Sequence, residues 1–406
     1  MKKIIALLVF GVLLFGCTMP SLPGTGGGQP AGSAPGGAGG PVTGVGQPSG
    51  GNVEPATGNG EPQAQEPPPQ TADRQELIRW FVMSKLMDAD GGVRNSLNST
   101  SYSSQSVWMI MDYALETNDE ELFAEEYAFF TGKFLDADYG LAYAALDSQK
   151  SPKKKDNLYY SSTGDNLRIA KALFAAHEKW GGTEYSNTAE RIGASLAANS
   201  VFTQVLVKES YWSGSGISPA TRMRSADPEW SVMEKFKLDD QAWVGITERT
   251  RSHVLGCTES GFFWPEFNVA NPSCDYGAGN SVARTVDSLR SAMAFADLNA
   301  FEPAVITFSK ISNELNQEDL ISNGYLIPHN GVGNKQEDPG TYATMGLLAV
   351  RLDRCDSAAK LRDKVLDYFV DDAASPLYGS ITQEGDAYAY DNLEALIFLE
   401  EYGDVC

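Results

Sequence analysis

Histidine is nearly missing from this chain. His177, His253 and His329 are scattered, and none sits beside a nucleophile. Ser-His-Asp catalysis therefore has no support. No Cys-x-x-Cys occurs, which together with so few histidines removes the spacing that a zinc site needs. No Gly-x-Gly-x-x-Gly loop offers a phosphate cradle, and no cofactor is implied. Basic residues are scarce: 31 Lys and Arg stand against 53 Asp and Glu, for a net charge of −22. Nucleic acids and anionic membrane surfaces are bound through Lys and Arg clusters, so neither fits as a partner, and the charge is read as a source of solubility. Long alternating apolar and polar runs are also lacking, which points away from a large sheet. The remainder is ordinary for a globular protein, at 42% hydrophobic and 21% charged residues.

The N-terminus is a targeting segment. Lys2 and Lys3 precede a short apolar run, Ile4–Phe15, which is too short to span a membrane. It ends in Leu14-Phe15-Gly16-Cys17, which resembles a prokaryotic lipobox whose Cys17 becomes lipidated. Residues 18–71 are almost all Gly, Pro, Ala, Thr, Ser and Gln, and such a stretch cannot bury a core. The expected organisation is a signal peptide over 1–16, a lipidated Cys and tether over 17–72, and a folded domain over 73–406. The protein is then exported and held by a lipid on Cys17 to the outer face of the cytoplasmic membrane or another envelope membrane.

Export favours disulfides among the four remaining cysteines, Cys257, Cys274, Cys355 and Cys406. Four cysteines allow three pairings. Cys257 and Cys274 bracket one loop, which makes a local bridge the natural pairing. Cys355 opens the last charged helix and Cys406 ends the chain, so the second bridge would tie down the C-terminus.

Six stretches within the folded domain look alike: Asp90–Val93, Asp138–Leu141, Tyr211–Gly214, Gly261–Trp264, Asn323–Leu326 and Leu377–Ser380. Each places Gly near an aromatic or branched residue. Most follow an amphipathic helical run, and a more apolar run comes next. Ser357–Val370 is charged on one side, for example, and Tyr388–Tyr402 is rich in Leu, Ala and aromatics. Charged helices alternating with apolar ones are what an outer and an inner layer require. Repetition of that unit predicts a closed ring of helical hairpins with its loops gathered at one end. Asp73 is placed as the cap of a first helix reaching Asp88. Leu167–Trp180 reads as a strong inner helix, whereas residues 207–280 show few clean periods. The fold class is all-α, with short strands in the loops.

Several motifs occur in the order found in family 8 glycoside hydrolases. Ser103-Ser104-Gln105-Ser106-Val107-Trp108-Met109 resembles the family's Ser-Glu-Gly-Gln, aromatic, Gly, Met entry to the first inner helix. Thr163-Gly164-Asp165-Asn166-Leu167-Arg168-Ile169-Ala170 resembles its Thr-Asp-x-Asp-Leu-x-Ile-Ala. Gly261–Phe267 looks like its Gly-Leu-x-Pro-Asp-Trp, and Asn280–Arg284 sits where it has Tyr-Asp-Ala-x-Arg. Gly216–Pro219, Asp227–Trp230 and Tyr390–Leu393 follow the same order. The resemblance covers 74–402 and implies an (α/α)6 barrel of six hairpins, with a sugar-binding groove across the loop end and a poly- or oligosaccharide as partner. The protein is expected to be a monomer.

The departures concern the chemistry. In this register the family's acid falls on Ser103, its base on Ser281 and its sugar-orienting Asp on Gly164. Glycoside cleavage needs two carboxyls, one to protonate the leaving oxygen and one to activate water or attack. Either other acids serve, or the site binds glycan without cutting, or the ring serves protein interaction. Asp165 is the first candidate, since it opens an inner helix whose N-terminus favours a carboxylate. Asp287 is the second, with Arg284 three residues before it to keep it ionised. Glu266 is the third. Gln105, Arg284 and the loop aromatics Tyr160, Trp212 and Trp264 are the candidate sugar contacts, because flat rings stack on sugar faces. The alternative for the aromatics is that they plug loops onto the barrel.

Overall fold

The computed structural model describes residues 73–214, 216–270, 274, 282–327 and 331–406. The signal segment, Cys17 and the tether lie outside them, as does Ser281. The described residues form one compact unit. Among the described residues no helix is long and apolar enough to cross a membrane.

Asp73 caps α1 (Arg74–Phe81) by accepting the Glu76 N–H, as its sequence position predicts. The helix continues into a π-turn, Val82–Leu86. Thereafter come α2 (Ser104–Glu116), α3 (Glu120–Phe129), α4 (Thr163–Trp180), α5 (Thr183–Asn199), α6 (Trp230–Asp239) and α7 (Ala242–Gly256). The series ends with α8 (Thr285–Ala296), α9 (Phe301–Glu318), α10 (Pro339–Arg351), α11 (Cys355–Leu366) and α12 (Ala389–Val405). The even-numbered helices touch in the cycle α2–α4–α6–α8–α10–α12 and back to α2, which closes an inner ring. The odd-numbered helices pack outside it, so the chain is an (α/α)6 barrel of six hairpins with short strands in the loops.

Burial follows from composition. α10 is buried continuously from Pro339 to Val350, as a helix apolar on all sides must be. α5 buries only Tyr185, Ala189, Ile192, Gly193 and Leu196, a single stripe. Close approach between inner helices depends on small residues: a Cβ at Gly346 of α10 would run into the Phe398 ring of α12. Four of the six repeated stretches share a cause, whereas Gly324 lies in a strand and, like Gly214, lacks positive φ. Gly91, Gly140, Gly261 and Gly379 all take positive φ, where a side chain would strain the turn. Residues 207–280, whose periods are obscure in the sequence, hold α6 and α7 with the buried Trp230 and Trp243. Both expected disulfides, Cys257–Cys274 and Cys355–Cys406, are present.

Candidate active site

All six inner helices start at the same end of the barrel, and the loops entering them surround a groove of about 470 Å³. Its walls carry five carboxyls, namely Asp165, Asp227, Asp287, Asp338 and Asp391. Four belong to helix starts. Asp165, Asp287 and Asp391 sit in the first turns of α4, α8 and α12, and Asp338 caps α10 through the Gly340 N–H. Helix N-termini favour negative charge, which explains why carboxyls collect here. Asp227 differs, because it comes from the loop between the strand Arg222–Arg224 and α6.

Asp165 is firmly held. It accepts Ser104 Oγ at 2.7 Å and Trp108 Nε1 at 3.3 Å. The cap of α4 is Ser162, whose Oγ takes the Asp165 N–H. Asp287 is 7% exposed, lines the groove and lies 3.9 Å from Arg284. Asp227 is buried, with its nearest cation, Arg224, at 4.0 Å. Burial pushes its carboxyl up to about 7; Arg224 and Arg168 oppose the rise and Asp165 and Asp287 add to it. Burial raises Asp338 too, against the hydrogen bonds from Gly340 and Thr341. Asp391 stands well above the usual carboxylate range through burial and the neighbouring Asp338 and Glu394. Burial thus favours the protonated form at Asp227, Asp338 and Asp391, and a carboxyl that holds its proton is one half of acid–base chemistry.

The floor is cationic and aromatic. Trp108 lies between Arg168 and Arg290, whose guanidinium carbons are 5.3 and 5.0 Å from its ring centre. Glu229 fixes Arg168 at 2.9 Å, and Glu394 fixes Arg290 at 3.3 Å.

The expected site residues divide. Asp165, Asp287, Gln105 and Arg284 line the groove together. Glu266 lies in an adjoining cavity that shares Arg224, Arg284 and Asp287 with it. Burial works to raise Glu266, but Lys208 at 2.8 Å and Arg222 at 3.0 Å outweigh that and hold it below the ordinary range. Trp212 and Trp264 are only 3% and 4% exposed, so neither presents a face to sugar. Trp212 stacks on Tyr143 at 5.3 Å, and Phe263 stacks on Phe295 at 5.9 Å. These loop aromatics plug loops onto the barrel, because large flat side chains are worth most when buried. Tyr160 sits in the strand Leu158–Ser162, away from the groove wall. The aromatics at the groove are instead Tyr388 and Tyr390, with Tyr388 40% exposed at the rim. Ser103 lines the groove but caps α2, accepting the Ser106 N–H. Sequence reasoning passed over Asp227, Asp391 and Arg290, although Asp227 and Asp391 stand within motifs already singled out.

A six-hairpin ring with carboxyls gathered at the inner-helix N-termini defines a glycosidase-type fold. The chain matches the model of glycosyl hydrolases family 8 over residues 80–364, and it belongs to that family. It is similar to an alpha-amylase from Clostridium perfringens at 21% identity and a TM-score of 0.73, with 82% of this chain and 99% of that one covered. The endoglucanase Cel10 from Klebsiella pneumoniae, a family 8 glycosyl hydrolase, aligns at 14% identity and a TM-score of 0.57, over 80% of this chain and 98% of its own. Among curated sequences, "Putative lipoprotein YdaJ" of Bacillus subtilis (strain 168) is 23% identical over 326 residues, covering 78% of this chain and 84% of that protein.

Proposed function

We propose that this protein is a lipid-anchored, surface-exposed glycoside hydrolase that cuts a polysaccharide lying in the loop-end groove. The observation that carries this reading is Asp287, set in the first turn of α8 beside Arg284 and facing the groove with Arg290. Val286-Asp287-Ser288-Leu289-Arg290 keeps the Asp-to-Arg spacing of Tyr-Asp-Ala-x-Arg, so that Asp287 serves as the base without recourse to Ser281. A carboxylate facing the groove can take a proton from an attacking water. Asp165, spent on Ser104 and Trp108, holds and orients the sugar. Glu266 keeps Lys208 and Arg222 in place along the groove's extension, and Gln105 and Arg284 contact the glycan. The lipobox at Cys17 and the lipoprotein name of YdaJ support export and anchoring.

The test uses the Cys17→Ser chain, purified from the soluble fraction, against starch, carboxymethylcellulose and xylan. Release of reducing ends supports hydrolysis. Binding without release supports a silent glycan-binding form, which Ser103 at the family's acid position favours. Neither outcome leaves the ring as an interaction or envelope-structure module. Cys17→Ser also checks the anchor: fractionation should move the protein from membranes to the soluble pool, and retention of the variant in membranes refutes lipidation.

A further inference from the structure

Hydrolysis needs a carboxyl that is protonated when the substrate binds, and Ser103 and Asp287 leave that part unfilled. Asp338 spends its oxygens capping α10, on the Gly340 N–H and the Thr341 hydroxyl. Asp165 is committed to Ser104 and Trp108. Asp227 is free of such commitments: it walls the groove, its residue is 5% exposed, and its Oδ2 is buried without a hydrogen-bond partner. A glycine makes room for it. A Cβ at Gly164, near the start of α4, would lie 2.8 Å from Asp227 Oδ1, so the absent side chain of residue 164 vacates the space that the Asp227 carboxyl occupies. The segment carrying Asp227 is pinned on both sides. Its N–H donates to the Arg224 carbonyl at 3.2 Å, Pro228 restricts its backbone, and Glu229 is locked to Arg168.

Resting on the hydrolase reading, we propose that Asp227 is the proton donor of this site, with Asp287 as its base. The Asp227 carboxyl gives its proton to the glycosidic oxygen as the bond from the anomeric carbon to that oxygen breaks. Asp287 takes a proton from the attacking water, whose oxygen forms the new bond to the anomeric carbon. Asp227 ends as carboxylate and Asp287 as acid, and proton exchange with solvent resets both. The charged groups facing Asp227 are Arg224, Arg168, Asp165 and Asp287. Burial among them keeps the donor protonated toward neutral pH.

Asp227→Asn decides the matter, assayed in the otherwise intact chain on whichever of starch, carboxymethylcellulose or xylan the wild type cuts. The companion substrate is the 2,4-dinitrophenyl glycoside of the matching oligosaccharide, whose leaving group needs no proton. The expected result is a 10²- to 10⁴-fold fall in kcat on polysaccharide at little-changed KM, the size typical of a lost general acid. The dinitrophenyl glycoside should be cut within about tenfold of wild type, and the alkaline limb of the pH profile should vanish. Equal losses on both substrates, full activity, or a surviving alkaline limb overturns the assignment. If Asp227→Asn does not fold, Gly164→Asp with Asp227→Ala tests the same space, since it returns a carboxyl to that spot from α4. Recovery of polysaccharide cleavage above Asp227→Ala alone supports the proposal, and none overturns it. A wild type that cuts no substrate fails differently: it removes the hydrolase reading itself, and the donor with it.

Discussion

The barrel holds charged cavities at both ends of its axis, and they are built in opposite ways. Within the loop-end groove itself, the short ion pairs stop at the floor. Asp287 and Asp227 have their nearest cations only at 3.9 and 4.0 Å. Toward the C-terminal ends of the inner helices a second cavity, about 180 Å³, is lined by Asp112, Lys171, Glu229, Asp297, Arg351, Glu394 and Glu401 among others. Here nearly every charge has a close partner: Lys171–Asp297 at 2.6 Å, Arg351–Asp297 at 2.5 Å and Arg351–Glu401 at 3.3 Å. Arg168 and Arg290 line both cavities and form the partition. A charge removed from water is tolerable when paired, so the deep cavity reads as structure. Carboxyls left loosely compensated on the groove wall read as chemistry.

Substitution separates the two ends. The largest effect is expected at the groove, where Asp287→Asn should lower hydrolysis by about 10³-fold with an unchanged melting temperature, as for loss of a general base. Asp165→Asn should lose activity as well, mainly through substrate positioning. Retained hydrolysis in both variants would remove them from the site, and a fall in stability alone would assign them to the fold. At the deep end, Arg351→Met leaves Glu401 without its partner and Asp297 with Lys171 alone. The expected cost is about 3–5 kcal/mol in denaturant unfolding, the usual price of half a buried pair. The folded fraction should keep its kcat, and loss of catalysis without loss of stability would reverse the comparison.

A smaller effect is expected from the covalent tie at that end. Cys355 opens α11 and Cys406 follows α12, closing a loop of sequence separation 51. Cys406→Ser should cost about 2–4 kcal/mol by freeing the unfolded chain, with turnover at the groove unaffected. Equal chemical stability of variant and wild type would show that the bridge constrains nothing.

Much of this architecture was legible in the chain. The alternation of charged and apolar helices announced the two layers, and four of the six recurring glycine stretches marked turns that need positive φ. Asp73, the disulfides and the inner helix from Leu167 to Trp180 were readable because each depends on local chemistry. α6 and α7 escaped notice because their buried faces are carried by Trp230, Trp243 and Phe236 amid polar residues, which blurs the period. The site was half legible. Asp165 and Asp287 could be placed from their helix starts. Asp227 could not, because its importance depends on the space left by Gly164, some sixty residues away in sequence. Trp212 and Trp264 misled for a related reason: a loop aromatic has the same sequence signature whether it faces the groove or anchors the loop.

Two members of the deep cavity, Asp112 and Glu116, break the pairing rule, and the first gives the smallest and sharpest test. Asp112, midway along α2, faces the cavity near Lys171, Glu229 and Arg351, and no short ion pair to it exists among the described residues. Burial pushes its carboxyl up to about 7; Lys171 and Arg351 pull against this, and Glu229 and Glu116 reinforce it. An unfolded Asp loses its proton near pH 4. Between about pH 4 and 7 the folded chain therefore binds a proton that the unfolded chain has released. This group's contribution to stability is fully present below pH 4, declines as the pH rises toward 7, and is gone above it. Asp112→Asn is permanently neutral and has no such dependence. Asp112 is only half-buried, and solvent screening cuts the full shift down, so relative to wild type the variant should gain about 1–2 kcal/mol between pH 4 and pH 8, measured by urea unfolding at each pH. Parallel stability curves for the two proteins would show that Asp112 is ionised in the folded barrel, and that the deep cavity tolerates an unpaired charge as the groove does.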